Sequence, residues 1–298
     1  MNPTPLLAFY ESRKGRGEPL VLVTVYETEG STYSKAGAQM LVDQNGVFRG
    51  MLSGGCLEGD LAIRAHQVIE TGEPQTVTYN LGGDDDELWG MGVGCDGSMS
   101  MLLQPLTPGG GYEPFAAIAD ILRGHVASEV VIPVSNQQLE LTVLVEPPPQ
   151  VLIMGAGLDA EPVVRFAAEL GWRCTVVDHR QAYIDNGEFA GATRTLCLPV
   201  DDLGKELDLS QFKMGVVMSH HLASDRSYLH QMAETQIAYV GLLGPRSRRD
   251  RLLGELGDVA AELEPRLYGP AGLDLGGRGP EPIALSIIAQ MQQELCSN

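Results

Sequence analysis

Two of the five cysteines stand in glycine-rich settings where a thiol could do chemistry. Ser53-Gly54-Gly55-Cys56-Leu57-Glu58 puts Cys56 at the start of a helical run, and Val93-Gly94-Cys95-Asp96-Gly97 repeats the theme. A helix N-terminus favours the thiolate, the form that attacks electrophiles and binds soft metals. The same residues also suit small buried hydrophobes, with the glycines making turns. A different chemistry is written at Gly155-Ala156-Gly157-Leu158-Asp159-Ala160, which matches the G-x-G-x-x-G/A dinucleotide fingerprint. Gly155 permits a tight turn, Gly157 lets backbone approach a pyrophosphate, and Ala160 is small enough for a helix to pack on the preceding strand. Asp178, 23 residues after Gly155, falls where a carboxylate can bind a ribose hydroxyl. Asp159 either puts negative charge beside the pyrophosphate seat or caps the helix.

Further groups are candidates. His220-His221 follows an apolar strand at the carboxyl edge of a sheet, where His220 could orient a ligand or move a proton; a satisfied loop histidine is the alternative. Gly244-Pro245-Arg246 opens a helix, and Arg246 heads a basic knot with Arg248, Arg249 and Arg251 that would receive an anion or form a solvated helix face. Asp225 and Arg226 read as a cap and an ion pair. Asp84, Asp85, Asp86 and Glu87 read as a solvated acidic loop or a metal site. Cys174, Cys197 and Cys296 read as structural, and no cysteine or histidine pair has zinc spacing.

The elements that must position these groups divide the chain. Leu20–Tyr26, residues 38–43 and 47–52, 75–81 and 98–106 read as strands, with Asn45-Gly46 as a hairpin turn and a helix running to about Glu70. Residues 115–123 read as a helix, followed by two more strands. Pro147-Pro148-Pro149 is the boundary. Beyond it, apolar strands at 151–155, 174–178, 193–198, 214–219 and 238–243 alternate with helical stretches at 159–170, 225–235 and 246–256, the pattern of a parallel α/β sheet. The expected fold is therefore an N-terminal α+β domain, 1–146, followed by a C-terminal Rossmann-like α/β domain with a parallel sheet, 151–298.

Composition narrows the function. Acidic residues outnumber basic ones 39 to 20 among 298, for a net charge of −19, which excludes a general nucleic-acid binder. No apolar stretch reaches the roughly 20 residues of a membrane helix. The charges of the first segment follow its apolar patch, the wrong order for a secretory signal, so a cytoplasmic protein is expected.

At this point the sequence resembles the XdhC/CoxI family of molybdenum-hydroxylase accessory proteins, from about residue 19 to 291. The resemblance rests on VTVYETEGSTYSKAGAQMLV, GVFRGMLSGGCLEGDL and the GCDG turn in the first half. In the second half it rests on the Rossmann segment ending VVDHR, MSHHLASDRSYL, YVGLLGPRSRRDRLL and GLDLGGRGPEPIALSIIAQM. It implies a chaperone, rather than a turnover enzyme, that binds molybdenum cofactor as molybdopterin or its dinucleotide, supports its sulfuration and delivers it to an apo molybdenum hydroxylase of the xanthine dehydrogenase type. Cys56 and Cys95, with Gly54 and Gly55, become candidates for handling molybdenum or sulfur. Gly155, Gly157, Ala160, Asp178 and Arg246 become candidates for the phosphate-bearing tail. A cysteine desulfurase is the implied sulfur source, and a homodimer the expected assembly. The chain departs from the family pattern at Tyr33 and Ser34, where Pro and Arg are common, at Leu158 in place of His, at Asp96 and at Pro282. Two other readings compete: an NAD(P)-dependent oxidoreductase using the C-terminal domain, and an interaction module with a vestigial dinucleotide fold.

Overall fold

The computed structural model describes residues 2–81, 97–134 and 139–297. Cys95, Asp96 and the acid run 84–87 lie outside the described residues. The chain forms two compact units, Pro3–Pro147 and Met1–Asn2 with Pro148–Asn298.

In the first unit, α1 (Thr4–Lys14) precedes β1 (Leu20–Gly30), β2 (Gln39–Asp43), β3 (Phe48–Arg49), α2 (Glu58–Thr71), β4 (Gln75–Asn80) and β5 (Gly97–Leu106). The strands form an antiparallel sheet in the order β3-β2-β1-β5-β4. Side chains alternate across a strand, and nearly every residue at the start of β1 is apolar, so the sheet is buried on both faces. Val21, Val23 and Val25 join Leu57, Leu61, Ala65 and Val68 of α2 and its approach. Leu20 and Leu22 join Leu6, Phe9 and Tyr10 of α1, together with α3 (Phe115–Arg123) and the hairpin of β6 (Ser128–Val134) and β7 (Leu139–Val145). The 44–46 turn forms as the Asn-Gly pair implies. The Asp43 carboxylate accepts from the Asn45 and Val47 N–H groups at 2.9 Å and from Arg13 Nε at 2.8 Å. Helix α1 is a correction to the sequence reading, which saw only an apolar patch there.

The second unit contains β8 (Gln150–Met154), α4 (Ala160–Glu169), β9 (Arg173–Asp178), α5 (Gln181–Asn186), β10 (Arg194–Cys197), α6 (Leu203–Glu206) and β11 (Met214–Val217). It continues with α7 (Leu222–Ala233), β12 (Tyr239–Leu242), α8 (Arg246–Leu256), α9 (Ala260–Leu263), β13 (Leu267–Tyr268) and α10 (Pro280–Ser297). The strands run parallel in the order β10-β9-β8-β11-β12-β13. This is the Rossmann order, and the chain reverses direction across the sheet between β8 and β11. Two residues of β13 extend it beyond the five expected strands. Helix α10 packs Ala284, Ile287, Ile288 and Met291 in the same cluster as Ala160, Val163, Val164 and Ala167 of α4. Among the described residues no helix is long and apolar enough to cross a membrane.

Candidate functional site

The loop before α2 is built around one carboxylate. Glu58, 2% exposed, accepts from the Leu52 N–H (2.8 Å) and Ser53 N–H (2.9 Å) at Oε1, and from the Ser53 hydroxyl (2.5 Å) and Gly55 N–H (3.0 Å) at Oε2. Ser53 Oγ in turn accepts from the Leu57 N–H at 2.7 Å. Burial alone pushes the Glu58 carboxyl up, but the Ser53 hydroxyl and the backbone donors outweigh it and hold the group below the ordinary glutamate range. The backbone turns through Gly54 and Gly55 at φ +76° and +110°, values that only glycine adopts readily. Three residues are thereby presented outward: Gly54, Gly55 and the Cys56 thiol are all exposed.

A second loop leans on the first. The Tyr33 ring covers Gly54, where a side-chain carbon would sit 3.4 Å from two ring atoms, and its hydroxyl donates to Met51 Sδ at 3.4 Å. Ser34 is buried and donates to the Met51 carbonyl at 3.4 Å; Thr32 donates to the Ser34 carbonyl at 2.8 Å. Gly97, the first residue of β5 and two residues after Cys95, lies so close to the Glu29 and Ser31 carbonyls that a side-chain carbon there would stand 2.5 and 2.6 Å from them.

The C-terminal unit brings its own groups together at the carboxyl ends of β8, β9 and β11. Gly155 turns at φ +124°, and a side-chain carbon there would lie 2.5 Å from the Met218 carbonyl and 2.6 Å from the Ser219 nitrogen. The turn after β8 is thus pressed against the backbone leaving β11, and only glycine fits. Gly155→Ala is expected to cost about 2–3 kcal/mol, measured as a lowered urea midpoint at unchanged m-value.

Asp178, placed by the sequence where a carboxylate can bind a ribose hydroxyl, lies at the end of β9. It is fully buried, and both its oxygens are engaged: Oδ2 by the Ala156 N–H (2.8 Å) and Arg180 Nη2 (2.7 Å), Oδ1 by the Arg180 N–H (2.9 Å) and Nε (2.8 Å). Burial pushes this carboxyl up, and the Arg180 guanidinium and the backbone donors more than reverse it. Arg180, a residue that sequence reasoning passed over, also lies 3.7 Å over the Tyr183 ring.

Asp159 does not cap α4 with its side chain. Its carboxylate meets His220 Nε2 at 3.0 Å. His220 reaches it from a left-handed backbone conformation, φ +60°, which lets the chain turn sharply after β11. His221 caps α7, its side chain accepting from the Ser224 N–H. Asp225 pairs with Arg248 rather than with its neighbour Arg226. Arg248 Nη2 and Nε lie 2.6 and 3.1 Å from Asp225 Oδ2, and the Ser219 hydroxyl donates to Oδ1 at 2.5 Å. Arg226 faces Glu255 at 3.4 Å. Arg246 is exposed at the first position of α8. Leu158, in the turn, is 76% exposed, and Gly157 and Ala160 are buried beside it.

Cys174 lies inside β9, and burial pushes its thiol up to about 12, the state of an inert structural cysteine. Cys197 was expected to be structural but is exposed at the end of the edge strand β10; Cys296 is exposed on α10. Among the described residues no group of three or more His, Cys, Asp or Glu side chains could hold a metal ion.

The arrangement can thus offer a thiol on a bare-backbone loop in one unit and a rigid glycine turn in the other. Comparison with known proteins matches residues 14–80 to the XdhC and CoxI family and residues 151–291 to the XdhC Rossmann domain. A probable xanthine dehydrogenase subunit of Bacillus subtilis (strain 168) is 29% identical over 312 residues, covering 93% of each chain. The molybdenum cofactor insertion chaperone PaoD of Escherichia coli (strain K12) is 25% identical over 296 residues, covering 92% of this chain and 83% of that one. A crystal structure described as a xanthine dehydrogenase from Bacillus halodurans superimposes with a TM-score of 0.84 at 32% identity, covering all of this chain and 97% of the other.

Proposed function

Since the chain belongs to the XdhC and CoxI family, we propose that it binds molybdenum cofactor as cargo and serves the maturation of a molybdenum hydroxylase of the xanthine dehydrogenase type. The observation that carries this reading is the Cys56 loop. Its carboxylate core, which also engages the Gly55 N–H, is satisfied internally, so the exposed thiol and the other backbone groups of Gly54 and Gly55 remain to meet a ligand. A thiolate is a soft donor suited to molybdenum or to sulfur exchange. The backbone groups of Gly54 and Gly55 other than the Gly55 N–H suit the hydrogen-bonding edge of a pterin. The Gly155–Ala160 turn opens α4, whose N-terminus favours a phosphate or pyrophosphate tail.

In finer terms, the chain holds the cofactor while a cysteine desulfurase supplies sulfur and an apo-hydroxylase receives the product. Cys56 or Cys95 handles the molybdenum or its sulfur, and His220 serves proton movement. The protein works in the cytoplasm, as a homodimer. The NAD(P)-dependent oxidoreductase reading is weaker on one observation: the carboxylate that would read the ribose, Asp178, has both oxygens engaged by Ala156 and Arg180.

The test is an anaerobic titration of the full chain with molybdenum cofactor, NAD and NADP, run beside Cys56→Ala. Cofactor is expected to bind at micromolar Kd or tighter, about tenfold weaker without the thiol, or about 1.4 kcal/mol. Binding of NAD(P) alone, indifferent to Cys56, would overturn the proposal.

A further inference from the structure

We propose that Tyr33 is a stacking platform for the planar pterin ring of the ligand bound at the Cys56 loop, an inference that rests on the function proposed above. A tyrosine side chain at a protein surface usually turns its ring edge or its hydroxyl outward. Tyr33 is 60% exposed although its hydroxyl has a partner. The ring looks onto Gly54, where an added side-chain carbon would meet two ring atoms at 3.4 Å, and the hydroxyl donates to Met51 Sδ at 3.4 Å. The loop beneath is anchored by Ser34 to the Met51 carbonyl and by Glu58 to residues 52–55.

The side chain keeps most of its surface open to solvent. The loop on which it leans carries Met51, itself 45% exposed, and Gly54, Gly55 and Cys56, all exposed. An aromatic face bordered by a thioether, a thiol and bare peptide groups is flat and polarizable, with hydrogen-bonding groups at its margin. A planar heteroaromatic with donors and acceptors around its edge is the ligand class that uses all of these at once: it stacks on the ring and is read by the backbone. Because the Tyr33 hydroxyl already has a partner in Met51, less conformational entropy is lost on stacking than for an untethered ring. Tyr33 is a positioning residue; it holds the ring plane while the thiol meets what the ring carries.

The experiment uses the full chain and two probes. One is a free pterin lacking molybdenum, followed by its own fluorescence; the other is molybdenum cofactor, titrated anaerobically. The variants are Tyr33→Phe, Tyr33→Trp, Tyr33→Leu and Tyr33→Ala, with far-UV circular dichroism and melting temperature to show that the fold is kept. Stacking on an aromatic predicts that Leu and Ala raise Kd for both probes by about five- to 150-fold and abolish quenching of the bound pterin's fluorescence. Phe and Trp, which keep the face, stay within about twofold. If Leu or Ala binds and quenches like the parent, the platform is overturned while cofactor binding by the parent leaves the proposed function standing. If the parent binds free pterin in a Tyr33-dependent way but not the cofactor, the platform stands and the proposed function falls. If the parent binds neither, both fall.

Discussion

Replacing Asp225 by alanine is expected to remove about 3–5 kcal/mol of stability from the C-terminal unit. Asp225 is fully buried and is the partner of both Arg248 and the Ser219 hydroxyl. Alanine leaves the guanidinium facing a space that no longer offers a carboxylate, and Ser219 loses its acceptor. Arg248 keeps some contact with solvent, which puts the cost toward the lower end of that range. Urea unfolding followed through Trp172, in a Trp89→Phe background, reads the transition. The companion variant Asp225→Leu with Arg248→Met should recover most of the loss, because replacing both partners of a buried pair by apolar groups is close to neutral. If Asp225→Ala shifts the midpoint no more than a surface substitution does, the pair is not what fixes the backbone after β11.

The second large effect belongs to Glu58. Glu58→Ala strands the Leu52, Ser53 and Gly55 N–H groups and the Ser53 hydroxyl together, and hydrogen bonds to a charged acceptor are worth about 1.5–3 kcal/mol each, not additively. We expect about 3–4 kcal/mol of destabilisation. We also expect cofactor affinity to fall as far as it does in Cys56→Ala, since the loop that presents the thiol is no longer held. The pH dependence has a definite sign. The folded carboxyl lies below its ordinary value of 4.5, so the unfolded chain binds the proton first as pH falls. The stability contributed by Glu58 is therefore complete above that ordinary value and is lost as pH descends through the lowered one. Glu58→Gln, which has no proton to take up, should show a flatter stability profile below pH 4.5 than the parent. Equal slopes for the two chains would show that Glu58 is not the acid-sensitive group.

Much of this was legible in the residue order. Alternation in the second half gave five of the six parallel strands, and the helix at 246–256 stands where the pattern put it. The glycine turn was legible because its constraint is local: a strand must end and a helix must start within a few residues. The parts that were not legible depend on partners far along the chain. Asp178 looked like a free acceptor because nothing nearby in sequence announces that the Ala156 N–H will meet it from 22 residues away. Asp225 and Arg248 are 23 residues apart on different helices, and Arg226 was the nearer cation. Asp159 and His220 are joined only because β8 and β11 are neighbours in the sheet. Glu58 did carry a local signal, a carboxylate in a helix's first turn behind a Ser-Gly-Gly run, but nothing in that run announces that its side chain folds back onto residues 52–55.

Three of the buried carboxylates, Glu58, Asp178 and Asp225, tie loops from beneath, as Asp43 ties the 44–46 turn, while Cys56 and Leu158, displayed on such loops, are exposed. Scaffold and contact surface are thereby inherited as nearly independent traits. A lineage could exchange Tyr33 or Leu158 and change what the protein grips without passing through an unfolded intermediate sequence, whereas an exchange at any of the three carboxylates would have to be accompanied at once by its partner.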